Sequence, residues 1–195
     1  MPTGVALRDV REQLFGAAER ILLRAGPDAL TSRAVTTEAG CAKGVLHRHF
    51  TDFDDFLIEL VQDRITRIRL QADTLYGAAG TGTVVGNLAD ALTELFGSVA
   101  VAIVSLVIFR DELRARLRRT QPTGIPMMRE AATMVADYLS RERDLGRIAA
   151  DADIDTLAPT VIGAGHLSFA DRTAPPDAPE VHRMVSTVLA GVLRQ

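Results

Sequence analysis

Between Glu38 and Asp52 the chain carries no acidic residue, and Lys43, His47, Arg48 and His49 all fall in that stretch. A phosphate backbone meets no like-charge repulsion there, although charge alone favours a short solvated basic turn. The asymmetry extends further, because residues 1–50 sum to +2 and the remainder to −5. Other chemistries find little support. The histidines are His47, His49, His166 and His182, and no HExxH, GxSxG, GxxxxGK[ST] or GxGxxG pattern occurs. Asp151, Asp153 and Asp155 alternate, but the glycine and terminal glutamate that a calcium loop needs are missing, so the run suits a helix start with favourable negative charge. Cys41 is the single cysteine, which excludes an intrachain disulfide and a cysteine-based zinc site, and fits a reducing, cytoplasmic setting. No enzyme, metal or cofactor is indicated.

Helices must position these residues. Val10, Leu14, Ala17, Ala18, Ile21 and Leu22 recur at the spacing of one helical face until Gly26-Pro27 stops them. Thr31 or Ser32 caps a short second helix through Glu38, Ala39-Gly40 breaks it, and a third of about seven residues runs to His49 or Phe50. Asp52 caps a long fourth helix, with Asp54 and Asp55 in its first turn, Phe53, Phe56, Leu57, Leu60, Val61, Ile65 and Ile68 in its stripe, and its end near Tyr76. Val84 to Thr120 holds two or three helices. The apolar run Leu95 to Phe109 spans 15 residues, short of the ~20 that cross a bilayer, and is expected to be protein core.

After a break at 121–126, Met127, Met128, Ala131, Met134, Val135, Tyr138 and Leu139 mark a helix ending near Gly146. Asp153 opens another containing Pro159 as an expected kink, and a stripe from Val181 to Leu193 runs to the end of the chain. The sum is an all-α protein of about nine helices, divided into residues 1–51 and 52–195, with no membrane span.

Two short helices meeting at a glycine-containing turn form a helix-turn-helix, whose second helix enters the major groove. Val35, Ala39, Leu46 and Phe50 have the spacing to face the first helix, which turns Lys43, Gly44, Val45, His47 and Arg48 outward. Lys and Arg suit phosphate or guanine edges, Val45 a thymine methyl, and Gly44 a close backbone approach. Over residues 7–57 the chain resembles the DNA-binding domain of the TetR family: Thr31, Ala39, Gly40, Lys43, Gly44, Leu46, His49, Phe50 and Asp54 match its pattern. The resemblance adds Thr31, Arg33 and His49 to the residues near DNA, with Arg33 on the backbone and Thr31 presenting helix amides to a phosphate. Three positions depart from the pattern. Ala42 stands where a capping Ser is usual, His47 where Tyr is usual and Phe53 where Lys is usual. The lost cap corresponds to about 1 kcal/mol, and the lost Tyr and Lys remove two usual phosphate contacts.

The resemblance also implies a C-terminal homodimer that senses a small effector, in a repressor of a palindromic operator. Val161, Gly165, Val181, Met184, Val185, Val188, Leu189 and Val192 form the expected dimer contact, aided by the small Gly163-Ala164-Gly165 patch. The expected pocket is largely apolar, drawn from Phe96, Ile103, Met127, Met128, Met134, Tyr138, His166 and Phe169, with His166 and Tyr138 as its polar handles. Each of these also fits an ordinary helical core. A helical protein-interaction module and a ligand-independent regulator remain the alternatives.

Overall fold

The structure, a computed structural model, describes residues 4–120, 125–171 and 174–194. Among them are ten α-helices: α1 Gly4–Ala25, α2 Ser32–Glu38, α3 Val45–His49, α4 Phe53–Gly77, α5 Val84–Phe96, α6 Ala100–Phe109, α7 Asp111–Thr120, α8 Met128–Asp144, α9 Ile154–Ser168 and α10 Ala178–Leu189. A 3-10 turn at Pro27–Ala29 separates α1 from α2, and the described residues contain no strand. The all-α expectation holds, with α6 lying within the apolar run Leu95 to Phe109. No single helix among the described residues is long and apolar enough to cross a membrane. Most of the break expected at 121–126 lies outside the described residues.

The chain forms two compact units, Met1–Asp63 with Ala102–Thr123, and Arg64–Val101 with Gly124–Gln195. In the first, Leu14, Leu22, Leu30, Val35, Leu46, Phe56 and Leu57 are fully buried. Three rings hold this core together. Phe50 meets Phe56 edge-on at 5.0 Å between centroids, and Phe15 lies 5.6 Å from Phe56 and 6.0 Å from Phe50. Such pairs add roughly 0.5–1.5 kcal/mol each beyond the area they bury.

In the second unit α8 packs on α9, and α10 packs on α5 and α9. Asp153 caps α9 as expected, accepting from the Thr156 amide at 3.1 Å, and Pro159 lies inside that helix. The helical stripe at the end of the chain stops early. Helix α10 ends at Leu189, and the tail runs alongside residues 147–149, with the Ala149 amide donating to Val192 O at 2.8 Å and the Arg194 amide to Arg147 O at 2.9 Å. Val192 and Leu193 therefore lie off the helix.

Gly165 fixes how closely α9 approaches α5, since a Cβ there would lie 2.7 Å from Phe96 Cε2. Gly165→Ala is therefore expected to lower stability by about 1–3 kcal/mol through overpacking, measurable as a lower urea midpoint with an unchanged slope.

Candidate nucleic-acid interface

The reading surface is built from two short helices that cannot stand alone at this length. Thr31 is the N-cap of α2, its Oγ1 accepting from the Ala34 amide at 3.1 Å. At the other end Gly40, with φ 66°, takes the left-handed conformation that lets the Cys41 amide donate back to Thr36 O at 2.9 Å. The chain then turns through 41–44 into α3. That helix has five residues rather than about seven, because Ala42 offers no capping oxygen and no side chain caps its start at Gly44.

Leu46 and Phe50 of this segment point into the core, as do Val35 and Ala39 from the α2 side. Lys43, Gly44, His47 and Arg48 are exposed, Val45 and His49 half-buried, and Thr31 and Arg33 exposed at the start of α2. The side expected to face DNA is thus the side turned to solvent. Arg11 secures the far end of α3: its guanidinium lies 4.6 Å above the Phe50 ring, donates to His49 O at 3.3 Å and pairs with Glu59.

Carboxylates sort the remaining cations. Glu38 accepts from Arg20 and Arg24 at 2.9 Å each, and these bonds hold its pKa below the ordinary 4.5. Asp52 both caps α4, accepting from the Asp55 amide at 2.7 Å, and receives Arg116 on both oxygens at 3.0 and 2.8 Å. Arg116 lowers the Asp52 pKa, and the Asp55 amide adds to the effect. Arg110 donates to Leu30 O at 3.1 Å, sits 5.6 Å over the Phe53 ring and lies 3.9 Å from Asp54. Arg33, Lys43 and Arg48 are left with no ion pair among the described residues. A cation thus lies over the ring at position 53, a contact between residues 57 positions apart that no local pattern announces.

The residues expected around an effector are dispersed. Phe96 lies 6.1 Å from the His166 ring and 5.8 Å from Phe169, a packed aromatic group. Burial pushes the His166 pKa below the ordinary 6.5, and its Nδ1 is buried with no hydrogen-bond partner among the described residues. Tyr138 is fully buried. Its hydroxyl accepts from Asn87 at 3.0 Å, beside a buried Glu142 that pairs with Arg147 at 3.3 Å and accepts from the Gly80 amide. Burial drives the Tyr138 pKa up, and the network makes this residue a lock on the 78–82 loop in place of the expected polar handle. Met127 and Met134 are buried, Met128 half-buried, and Ile103 belongs to the N-terminal unit.

Of the expected dimer residues, Val161, Gly165, Val181, Val185 and Leu189 are packed inside the chain, while Met184, Val188 and Val192 are half-buried. The stripe is split because one face of α10 is already taken up by α5 and α9. Asp153 caps α9 and Asp155 lies in its first turn, and no metal-holding cluster of His, Cys, Asp or Glu occurs among the described residues.

Known proteins share both the reading head and the architecture. The profile of "Bacterial regulatory proteins, tetR family" matches residues 14–60. A TetR-family transcriptional regulator from Agrobacterium tumefaciens superposes with a TM-score of 0.73 at 14% identity, covering 96% of this chain and 99% of its own. FadR from Bacillus subtilis, solved in complex with stearoyl-CoA, gives 0.67 at 17% identity over 92% and 98%. SmeT, the repressor of the Stenotrophomonas maltophilia multidrug efflux pump SmeDEF, gives 0.62 at 20% identity over 95% and 91%. No curated protein matches the chain in sequence. Residues 14–60 are therefore a DNA-binding domain of the TetR family, on a chain with the fold of that family's transcriptional regulators. Proteins of this class are DNA-binding transcription factors rather than enzymes.

Because burial depresses the His166 pKa, the unfolded chain takes up a proton below pH 6.5 before the folded one does, and stability falls as pH drops through that window. Thermal unfolding followed from pH 7 to 5.5 should show this decline in the wild type and a smaller one in His166→Phe.

Proposed function

We propose that the protein is a ligand-responsive repressor that binds a palindromic operator as a homodimer in the cytoplasm. The observation that carries the DNA half is the partition of cations, in which Arg33, Lys43 and Arg48 are exposed and unpaired while Arg20, Arg24 and Arg116 are held by carboxylates. Lys43, Val45, His47 and Arg48, beside the open backbone at Gly44, supply the base and phosphate contacts. Arg33, Thr31 and His49 position the head on the backbone. Helix α3 lies in the major groove, and two copies read half-sites about one helical turn or a multiple apart.

Selection from a random duplex pool, followed by a salt titration of the winner, tests this reading. A palindromic consensus is expected. Lys43→Ala should weaken binding across sequences and reduce the salt slope by about 1, with an unchanged oligomeric state. Failure to enrich any sequence would instead favour a helical protein-interaction module.

The dimer reading rests on the outer face of α9 and α10, where Leu167 is 75% exposed and Met184 and Val188 are half-buried. A hollow of about 520 Å³ beside them, lined by Ser168, Pro176, Arg183 and Thr187, gives a second copy a recess to fill. Leu167→Glu with Val188→Glu is expected to yield a folded monomer by sedimentation and circular dichroism. Leu189→Glu should unfold the chain, since that side chain is fully buried within it. A wild type that sediments as a monomer at micromolar concentration would overturn the dimer.

Effector sensing is supported by the fold, one of whose similar structures, FadR, holds stearoyl-CoA. The effector acts by favouring a conformation in which the two heads no longer match the operator spacing.

A further inference from the structure

A second acid-free stretch lies far from the first in sequence. No acidic residue occurs between Glu112 and Glu130, and Arg114, Arg116, Arg118, Arg119 and Arg129 all fall there. All but Arg129 are in α7, which belongs to the same compact unit as the reading head. Leu113 and Leu117, one turn apart and both buried, seat the helix in that unit. Carboxylates sort these cations as they sort those of the head. Arg114 is paired with Asp111, Arg129 with Glu130 at 2.8 Å, and Arg116 with Asp52. Arg118 and Arg119 are exposed and carry no ion pair or side-chain hydrogen bond among the described residues.

The engaged arginines show where the free ones stand. Arg116 reaches both oxygens of Asp52, the cap of α4, two positions after Phe50 leaves the reading helix. Arg110, at the corner between α6 and α7, donates to Leu30 O just before Thr31 caps α2. The basic helix is thus tied to the head at two points, one after α3 and one before α2. At most about 14 Å of chain separates Arg48 from Asp52, less than half of the ~34 Å helical turn of a duplex. Arg119 follows Arg116 at i+3 on one face of α7, about 4.5 Å further along the axis, and Arg118 flanks it. The acids around this point are engaged: Asp52 by Arg116, Asp54 by Arg110 at 3.9 Å, Asp55 by the Thr51 amide at 3.0 Å and Asp111 by Arg114. Glu112, in the first turn of α7, lies about two turns from Arg119.

We propose that Arg119, with Arg118 beside it, forms a second DNA-binding site, in which two guanidiniums hold backbone phosphates of the duplex outside the bases that α3 reads. Each guanidinium stays charged at any working pH, offers forked donors to a phosphate and displaces a condensed counterion when it binds. Such a contact carries no base preference. It adds affinity and lengthens the footprint on either side of the half-site. The inference rests on the DNA-binding reading above and extends it to a helix well outside residues 14–60, the span that the family profile matches.

The test is equilibrium binding of the full-length chain across a salt series, to the selected duplex with long flanks and to the same duplex trimmed to its consensus. Arg118→Gln with Arg119→Gln is expected to weaken binding to the flanked duplex about tenfold and to reduce the salt slope by about 2. Trimming the flanks should abolish the difference between wild type and variant, and reselection with the variant should return the same consensus. Arg118→Lys with Arg119→Lys should keep the slope, because the charge is retained. Both positions are exposed, and circular dichroism checks that each variant is folded. An unchanged affinity and slope in the glutamine variant would reduce these arginines to a solvated helix end that offsets its own dipole, and the proposal would fall. A changed consensus would overturn it as well, as would wild-type binding to phosphatidylserine vesicles that the glutamine variant loses while DNA binding is unaltered. Lys43→Ala separates this site from the reading head. If that variant weakens binding and the glutamine variant does not, the second site alone falls; if the wild type binds no duplex, the DNA-binding reading falls and takes the second site with it.

Discussion

The contact on which the reading head depends is the meeting of Phe15, Phe50 and Phe56. Helix α3 is five residues long and carries no side-chain cap, so its backbone supplies almost none of its own stability. Its orientation is imposed from its C-terminal end, where Phe50 leaves the helix and enters the core between a ring of α1 and a ring of α4. Arg11 reinforces the same point by covering Phe50 and holding the carbonyl of His49. Reading residues and anchoring residues therefore alternate along one short stretch, with Leu46 and Phe50 inward and Lys43, His47 and Arg48 outward.

Acidic residues complete that arrangement by deciding which cations remain available. The net charge of the chain is −3, so its attraction for a phosphate backbone has to be local. Glu38 and Asp52 bound the acid-free stretch on either side, and each is engaged with arginines coming from other helices. The stretch stays cationic because the flanking acids are neutralised before they can oppose it.

Much of this was legible in order along the chain. Thr31 and Asp52 cap the helices they were expected to cap, α4 ends within a residue of Tyr76, and Asp153 opens α9, because capping and periodicity are local and the sequence states them directly. What escaped depends on distant partners. The end of α10 is set by backbone bonds to residues 147–149, and the role of Tyr138 by Asn87, Glu142 and Arg147. The dimer stripe was half illegible because an amphipathic face looks the same whether it meets its own chain or another.

The division of labour within α3 has a consequence for how such a protein changes over generations. Lys43, Gly44, His47 and Arg48 carry none of the contacts that hold the helix in place, and a Cβ added at Gly44 would meet nothing within 4 Å. Substitutions at these exposed positions leave the folding free energy nearly untouched while changing the pattern of donors and acceptors that the proposed DNA contact would use. If these residues meet DNA as proposed, sequence preference is free to drift almost independently of stability, so that a duplicated copy can acquire new target sites without first having to relearn how to fold.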